Sequence, residues 1–508
     1  MLESSKVKNE RILRNTLFLY MRTFFTMIVS LYTTRVIIRE LGIDDYGVYN
    51  VVGGFVGMFS IVVGPISNAI SRFLTFELGK GNLDRLKITF STSVNVQIVF
   101  GLIIIIIGET FGIWFLNYKL NIPTGSLIAA NWVLQCSLIS MVISLINVPF
   151  FSSIVAHEKM DAFAYMSILE VILKLLLALS LSLSINNKLI FYSIGILAIG
   201  IIMRGLYGVY CTRKFEECHY ELKFDKAIFK EMFGFAWWSF FGNTSYILNT
   251  QGVSMLMNIF FGVVINTAKG IAMQVEGAVL SFVNSFMSAF NPQITKSYAE
   301  NNMEYMYSVM CRGSKFSFYL LLLFIIPIEF EAPLILKLWL GEVPEYSVSF
   351  LRLSLISVAS LMLGNPFLQG ILATGTIKGY EIAVTIVGCL VFPLTWVAYK
   401  IGFYPEIFYW IYIFIYNVLI WIRMWFVKKL LGFKIKVFLS NVFFPIICCS
   451  LVAVLPALCI YLILPESLIR LIILTLVSLI ATSFTVLFLG MTNNERVFVI
   501  ERVQKIIR

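Results

Sequence analysis

Histidine is nearly missing from this chain, with only His157 and His219 among 508 residues, and just 13% of positions carry a charge. Acidic residues are the scarcer sign, 28 against 39 basic ones, for a net charge of +11. So little charge, beside 59% hydrophobic residues and a mean hydropathy of +0.88, excludes an ordinary soluble enzyme. Two histidines leave little scope for imidazole acid–base catalysis. Cys211, Cys218 and His219 lack the regular spacing of a zinc site, so free thiols are expected, with no metal and no other cofactor. The period-2 alternation of a membrane β-barrel is lacking as well.

What is present is apolar sequence in long runs. About 20 such residues cross the ~30 Å hydrocarbon core as a helix, which satisfies its own backbone. Fourteen runs lie near 15–38, 46–72, 88–111, 126–150, 162–184, 189–210, 233–261, 264–290, 316–336, 347–370, 379–399, 405–426, 440–464 and 471–490. The fold class expected is therefore all-α, a polytopic membrane protein of fourteen transmembrane helices. Of the 39 lysines and arginines, 25 fall in loops on the side of the N-terminus, so both termini are expected to be cytoplasmic. The first run is too long for the core of a cleavable signal and stays as a helix. Placed this way, the positive charge faces lipid head groups, and no nucleic-acid partner is expected.

An internal repeat organises the chain. At an offset of 220, Gly42 falls on Gly262, Gly57 on Gly277, Val63 on Val283, Ala69 on Ala289, Thr75 on Thr295 and Asn82 on Asn302. At an offset of 217, Pro149, Phe150, Ile154 and Ala156 fall on Pro366, Phe367, Ile371 and Ala373. Six spans separate equivalent helices, so the two copies share an orientation and are expected to be related by a pseudo-two-fold along the membrane normal. The expected divisions are 1–212 and 233–427 as six-helix bundles, and 428–508 as two extra helices with a basic cytoplasmic tail. Between the bundles, 213–232 is expected to be a cytoplasmic linker helix, with Phe224, Ile228, Met232 and Phe235 at helical spacing.

Charges inside the spans carry the functional reading, because each costs about 2.5–3.5 kcal/mol at a helix centre unless a wet cavity, a partner or snorkelling relieves it. Arg22, Arg35, Arg72, Lys174, Arg204, Lys269 and Arg352 are the basic candidates for binding an anionic substrate, with Arg423 near a cytoplasmic end. Glu170 and Glu276 are the acids recognised inside spans and the candidates for ion coupling. Glu170 stands four residues before Lys174, the order that favours mutual neutralisation. Structural pairing explains that couple as well as a switch does, and a salt bridge across the bundle explains Glu276 as well as a proton site does. No residue stands out as catalytic.

The six-plus-six-plus-two plan, the segment AISRFLTFELGKGNLDRLK ending span two, and PFFSSIVAHEKMDAF after span four resemble bacterial polysaccharide flippases of the Wzx type. These belong to the superfamily of multidrug, oligosaccharidyl-lipid and polysaccharide exporters. The resemblance implies a transporter rather than an enzyme, in the bacterial inner membrane. Its implied cargo is an undecaprenyl-pyrophosphate-linked oligosaccharide, moved to the periplasmic leaflet by alternating access for O-antigen, capsule or exopolysaccharide assembly. Membrane lipids, a proton or sodium counter-ion and a glycan polymerase are the partners it implies. Spans thirteen and fourteen would lie near the lipid tail.

Two departures bear on the alternatives. Multidrug antiporters of the superfamily often carry an acidic cation site in the first helix, where this chain has Arg22 and Arg35 and no buried acid. Peptidoglycan-precursor flippases commonly have Arg-Asp there, whereas Arg22 is followed by Thr23. Drug export is thereby disfavoured, and lipid II transport stays open. A membrane glycan polymerase or transferase is the third alternative, opposed by the small outer loops.

Overall fold

A computed structural model describes residues 23–157, 159–183, 187–287, 290–493 and 495–497. Every described segment of regular structure is helical. In chain order these are α1 (residues 23–41), α2 (Ile43–Gly57), α3 (Ser60–Lys80), α4 (Leu83–Tyr118), α5 (Leu127–Ala156), α6 (Met160–Ser180) and α7 (Lys188–Lys214). There follow α8 (Lys226–Ile247), α9 (Val253–Phe261), α10 (Val263–Met287), α11 (Asn291–Ala299), α12 (Met303–Leu340) and α13 (Ser347–Ala373). The last four are α14 (Lys378–Ile401), α15 (Ile407–Leu431), α16 (Ile435–Ile463) and α17 (Leu468–Gly490). Helix lies over each of the fourteen expected spans, and ten of these helices are long and apolar enough to cross a bilayer uninterrupted. The chain is a multi-pass membrane protein.

Polar residues at the ends set where the helices start. Asn82 accepts from the N–H of Arg85 (3.1 Å), Asp225 from Ala227 and Ile228 (2.7 and 3.1 Å), and Asn302 from Tyr305 (3.2 Å). Each satisfies an N–H that the first turn leaves without a partner. Gly81 and Gly432 end α3 and α15 with φ of 72°, a left-handed conformation that glycine adopts without a Cβ penalty.

The chain divides into two compact units. The first holds residues 1–270 with Thr395–Pro405, and the second holds Ile271–Leu394 with Glu406–Arg508. In the first, α5 packs on α2, α3, α4 and α7, and α3 packs on α8. In the second, α12 packs on α13, α16 and α17, and α13 packs on α15. Each unit has a buried apolar core, centred on residues such as Phe90, Phe150 and Ile154 in the first and Phe367, Tyr380 and Met424 in the second.

Two expectations change in detail. Span two is not one helix: it breaks at Met58–Phe59, just past Gly53, Gly54 and Gly57, where small residues give the helix little side-chain support. A separate surface helix over 213–232 is not formed either. After a short turn at Glu216–Cys218 the chain enters α8 at Lys226 and runs on through span seven. Ile228 and Met232 are buried in the first unit's core, so this stripe packs against protein. The loop before it is sewn to α4, with Glu221 N–H on Ser91 Oγ (3.1 Å), Asp225 N–H on Thr92 Oγ1 (3.1 Å) and Tyr220 O–H on Asn95 Oδ1 (2.6 Å).

Candidate substrate cleft and the charged groups around it

A cleft of about 760 Å³ lies in the second unit between α10, α12 and α17. Phe316, Tyr319, Leu320 and Leu323 recur on α12 at the spacing of one helix face and form its floor. Phe286 and Phe290, with rings 5.0 Å apart, close one side, and Thr482, Ser483, Val486 and Leu487 of α17 close the other. The lining is mostly apolar, with Thr482 and Ser483 on the α17 side and Arg312 and Glu495 at one end.

That charged end is built by the chain after α17 folding back on α12. Glu495 takes a hydrogen bond from Lys315 Nζ at 2.8 Å and from Thr492 N–H at 2.9 Å, and lies 3.4 Å from Arg312. Lys315 is 5% exposed, so its ammonium depends on this one carboxylate. Burial would raise the Glu495 carboxyl, but the bonds from Lys315 and Thr492 outweigh it and hold the group below its ordinary value. Tyr319 O–H donates to Gly490 O (3.3 Å), and Arg496 caps the end of α17 through Leu487 O and Phe488 O (2.9 and 2.7 Å). At the opposite end of α17, Arg470 makes two bonds to the fully buried Glu331 of α12, at 2.7 and 3.1 Å. The wall formed by α17 is thus fastened to α12 at both ends.

The basic residues expected to bind substrate are dispersed. Arg22 lies outside the described residues. Arg35 and Arg72 are exposed, and both have contacts within the chain. Lys174 is paired with Glu170 at 2.6 Å on α6, both side chains about two-fifths exposed. The Arg204 guanidinium lies 4.0 Å from the ring centroid of Phe150, over the space left by Gly208. Lys269 is buried on α10, its Nζ on Thr250 O (2.7 Å), where a wide turn interrupts the helix between α8 and α9. Arg352 bonds the carbonyls of Glu329 and Phe330 on α12. Glu276 is half-buried on α10 with an interaction of its own.

Residues 12–298, more than half the chain, match the family described as polysaccharide biosynthesis protein. The chain belongs to that family. No curated protein matches it in sequence. Among solved structures, this family member is similar to the lipid II flippase MurJ in an inward closed conformation, with a TM-score of 0.67 and 14% identity over 92% of this chain and 97% of that one. It is also similar to an inward-facing multidrug resistance MATE transporter of the MOP superfamily, at 0.66 and 13% identity over 80% and 94% of the two chains. A MOP superfamily transporter from Pyrococcus furiosus matches at 0.56 and 14% identity over 83% and 96%. At these identities the likeness is one of fold, and the fold is that of the MOP superfamily.

Sequence reading of this family member passed over several of its buried charges. Glu170 and Glu276 are not the only acids inside spans, since Glu329 and Glu331 both lie within α12. The signal for these two was the segment IPIEFEAP, an acid pair between Pro327 and Pro333. Lys315 stands just outside the apolar run at 316–336, yet α12 starts twelve residues before it, at Met303. Arg470 and Glu495 lie outside the run at 471–490, and nothing local marks their partners, which lie 139 and 180 positions away.

Proposed function

We propose that this polysaccharide biosynthesis protein is a flippase that carries undecaprenyl-pyrophosphate-linked oligosaccharide repeat units from the cytoplasmic to the periplasmic leaflet by alternating access. The cleft between α10, α12 and α17 is the observation that carries the reading. A groove of about 760 Å³ walled by aromatic and aliphatic side chains, with Arg312 at one end, suits a prenyl chain whose charged head group stays at the polar end. Family membership supports a glycan precursor as the cargo. Arg312 is the proposed contact for the diphosphate in this cleft, and Glu276 and Glu170 are the proposed coupling acids.

Within the first unit, α2 and the first turns of α10 pack tightly on the side of the α1–α2 turn, which is the periplasmic side on the positive-inside reading. Thr267 Oγ1 donates to Ile43 O at 2.6 Å, and Asn121 N–H to Asn258 Oδ1 at 2.9 Å. A Cβ on Gly47 would lie 2.3 Å from Val263 O, so α2 and the first turns of α10 meet backbone to backbone.

Proteoliposomes loaded with a fluorescent undecaprenyl-pyrophosphate oligosaccharide test the proposal. Transfer to the opposite leaflet, read by access of a membrane-impermeant quencher, is expected only with the protein present. Movement of cationic dyes without movement of the lipid-linked sugar would replace this reading with drug export.

A further inference from the structure

α12 runs on as helix through two prolines, Pro327 and Pro333, and Pro333 has no N–H to give the carbonyl of Glu329 four residues back. In a membrane such an orphaned carbonyl needs a donor from elsewhere. Arg352 of α13 supplies it: Nε donates to Glu329 O at 2.7 Å, and a second guanidinium nitrogen reaches Phe330 O at 3.5 Å. The guanidinium is therefore spent on the backbone where the helix lacks one hydrogen bond. Beside it, one carboxylate oxygen of Glu329 itself, Oε1, is buried without a hydrogen-bond partner.

This division of bonds is unexpected for an ionised carboxylate. An anion next to an arginine draws the guanidinium into a fork with both oxygens. A neutral carboxyl does not compete, and it tolerates a buried oxygen far better than an anion does. The arrangement is the one expected when Glu329 carries a proton.

We propose that Glu329 is a proton-binding site whose occupancy decides whether Arg352 clamps α12 at Pro333. With the proton on, Arg352 holds the carbonyl of Glu329, with a longer contact to that of Phe330, and ties α13 to α12 there. When the proton leaves to water, the carboxylate takes the guanidinium, the Glu329 carbonyl loses its donor, and α12 is free to bend at Pro333. Arg352 is the charged group facing Glu329 from α13. On the far side of α12, Arg470 of α17 is committed to Glu331, Glu466 lies near Arg470, and the ring of Tyr461 of α16 packs at a tilt against Phe330, 5.4 Å away. Lys337, two turns along α12, is exposed.

The repeat indicates that only one half carries the device. At the offset of 220 Glu329 falls on Glu109, which sits in a wide turn of α4 at Gly108–Gly112. At the offset of 217 Arg352 falls on Gln135, which has no charge to clamp or release.

The inference goes beyond the transport reading and is tested without any cargo, so the failure of one leaves the other standing. Amide hydrogen exchange of the 327–340 segment, corrected for its intrinsic pH dependence, is followed across pH in the full protein in nanodiscs. In the wild type, protection is expected to fall severalfold on passing from acid to alkaline pH. Glu329→Gln, a mimic of the protonated form, is expected to stay protected throughout, and Arg352→Gln to be unprotected throughout. An infrared difference spectrum between wild type and Glu329→Gln is expected to show a protonated-carboxyl band that disappears over the same pH range. A fall in protection of equal size in wild type and Glu329→Gln, or no such carboxyl band, overturns the proposal.

Discussion

Gly42 and Gly262, 220 positions apart, hold the same backbone, with φ of 83° and 84° and ψ of 171° and −172°. Each turns the chain from one helix into the next, and Asn82 and Asn302 likewise cap α4 and α12 in the same way. The duplication legible in six scattered identities is thus a duplication of local geometry. An added Cβ at Gly42 would meet nothing within 4 Å, so the cost of substitution there is backbone strain alone. Gly42→Ala and Gly42→Asn are each expected to lower stability by about 1–3 kcal/mol, because a φ of 83° with a ψ of 171° lies in a region essentially confined to glycine, where asparagine fares no better than alanine. Chemical unfolding in detergent checks both variants.

Most of the fold was open to reading because membrane helices announce themselves by composition, and positions such as Pro149, Phe150, Pro366 and Phe367 fixed the repeat. The bonds that give individual charges their roles were not open to it. Arg352 reads in sequence as one more intramembrane cation; its partner is a carbonyl freed by Pro333, and a backbone carbonyl leaves no residue type to recognise. Lys269 on Thr250 O is the same case. The cleft escaped because its floor, Phe316 to Leu323, looks like any apolar stripe until α17 is seen to stand off from it.

Gly47 and Gly53 of α2 separate close packing from helix propensity. A Cβ on Gly47 would lie 2.3 Å from Val263 O and 2.8 Å from Thr267 Oγ1, whereas one on Gly53 would meet nothing within 4 Å. Gly47→Ala is expected to destabilise by about 1–3 kcal/mol through overpacking. Gly53→Ala should stabilise by roughly 0.5–1 kcal/mol, the usual gain for alanine over glycine within a helix. Thermal unfolding of the two variants side by side tests the close approach, and equal shifts would remove it.

Glu495 makes stability depend on acid. Its carboxyl sits below its ordinary value of 4.5 in the folded protein, so the unfolded chain binds the proton more readily. The contribution is complete above about pH 4.5 and is lost as pH falls through the lower folded value. Below about pH 4.5, Glu495→Gln should flatten the decline in melting temperature seen for the wild type. At neutral pH it should melt earlier, because Lys315 is left buried without an anion.

Glu331 and Arg470 give the sharpest energetic test. Glu331 is fully buried and Arg470 nearly so, and two hydrogen bonds join them, with Arg470 also 4.8 Å from the Tyr461 ring and bonded to Leu464 O at 3.3 Å. Removing either partner strands a charge in a low-dielectric site, so Glu331→Leu and Arg470→Met are each expected to cost about 3–5 kcal/mol. Removing both strands nothing, and Glu331→Leu with Arg470→Met should cost less than either single change, because the desolvation of the pair is also abolished. Unfolding measurements on the wild type, the single variants and the double variant provide the cycle. Costs that simply add would mean that the ion pair does not fasten α17 to α12. A double variant that recovers stability yet loses lipid-linked sugar transfer would assign the pair to holding the cleft wall in position.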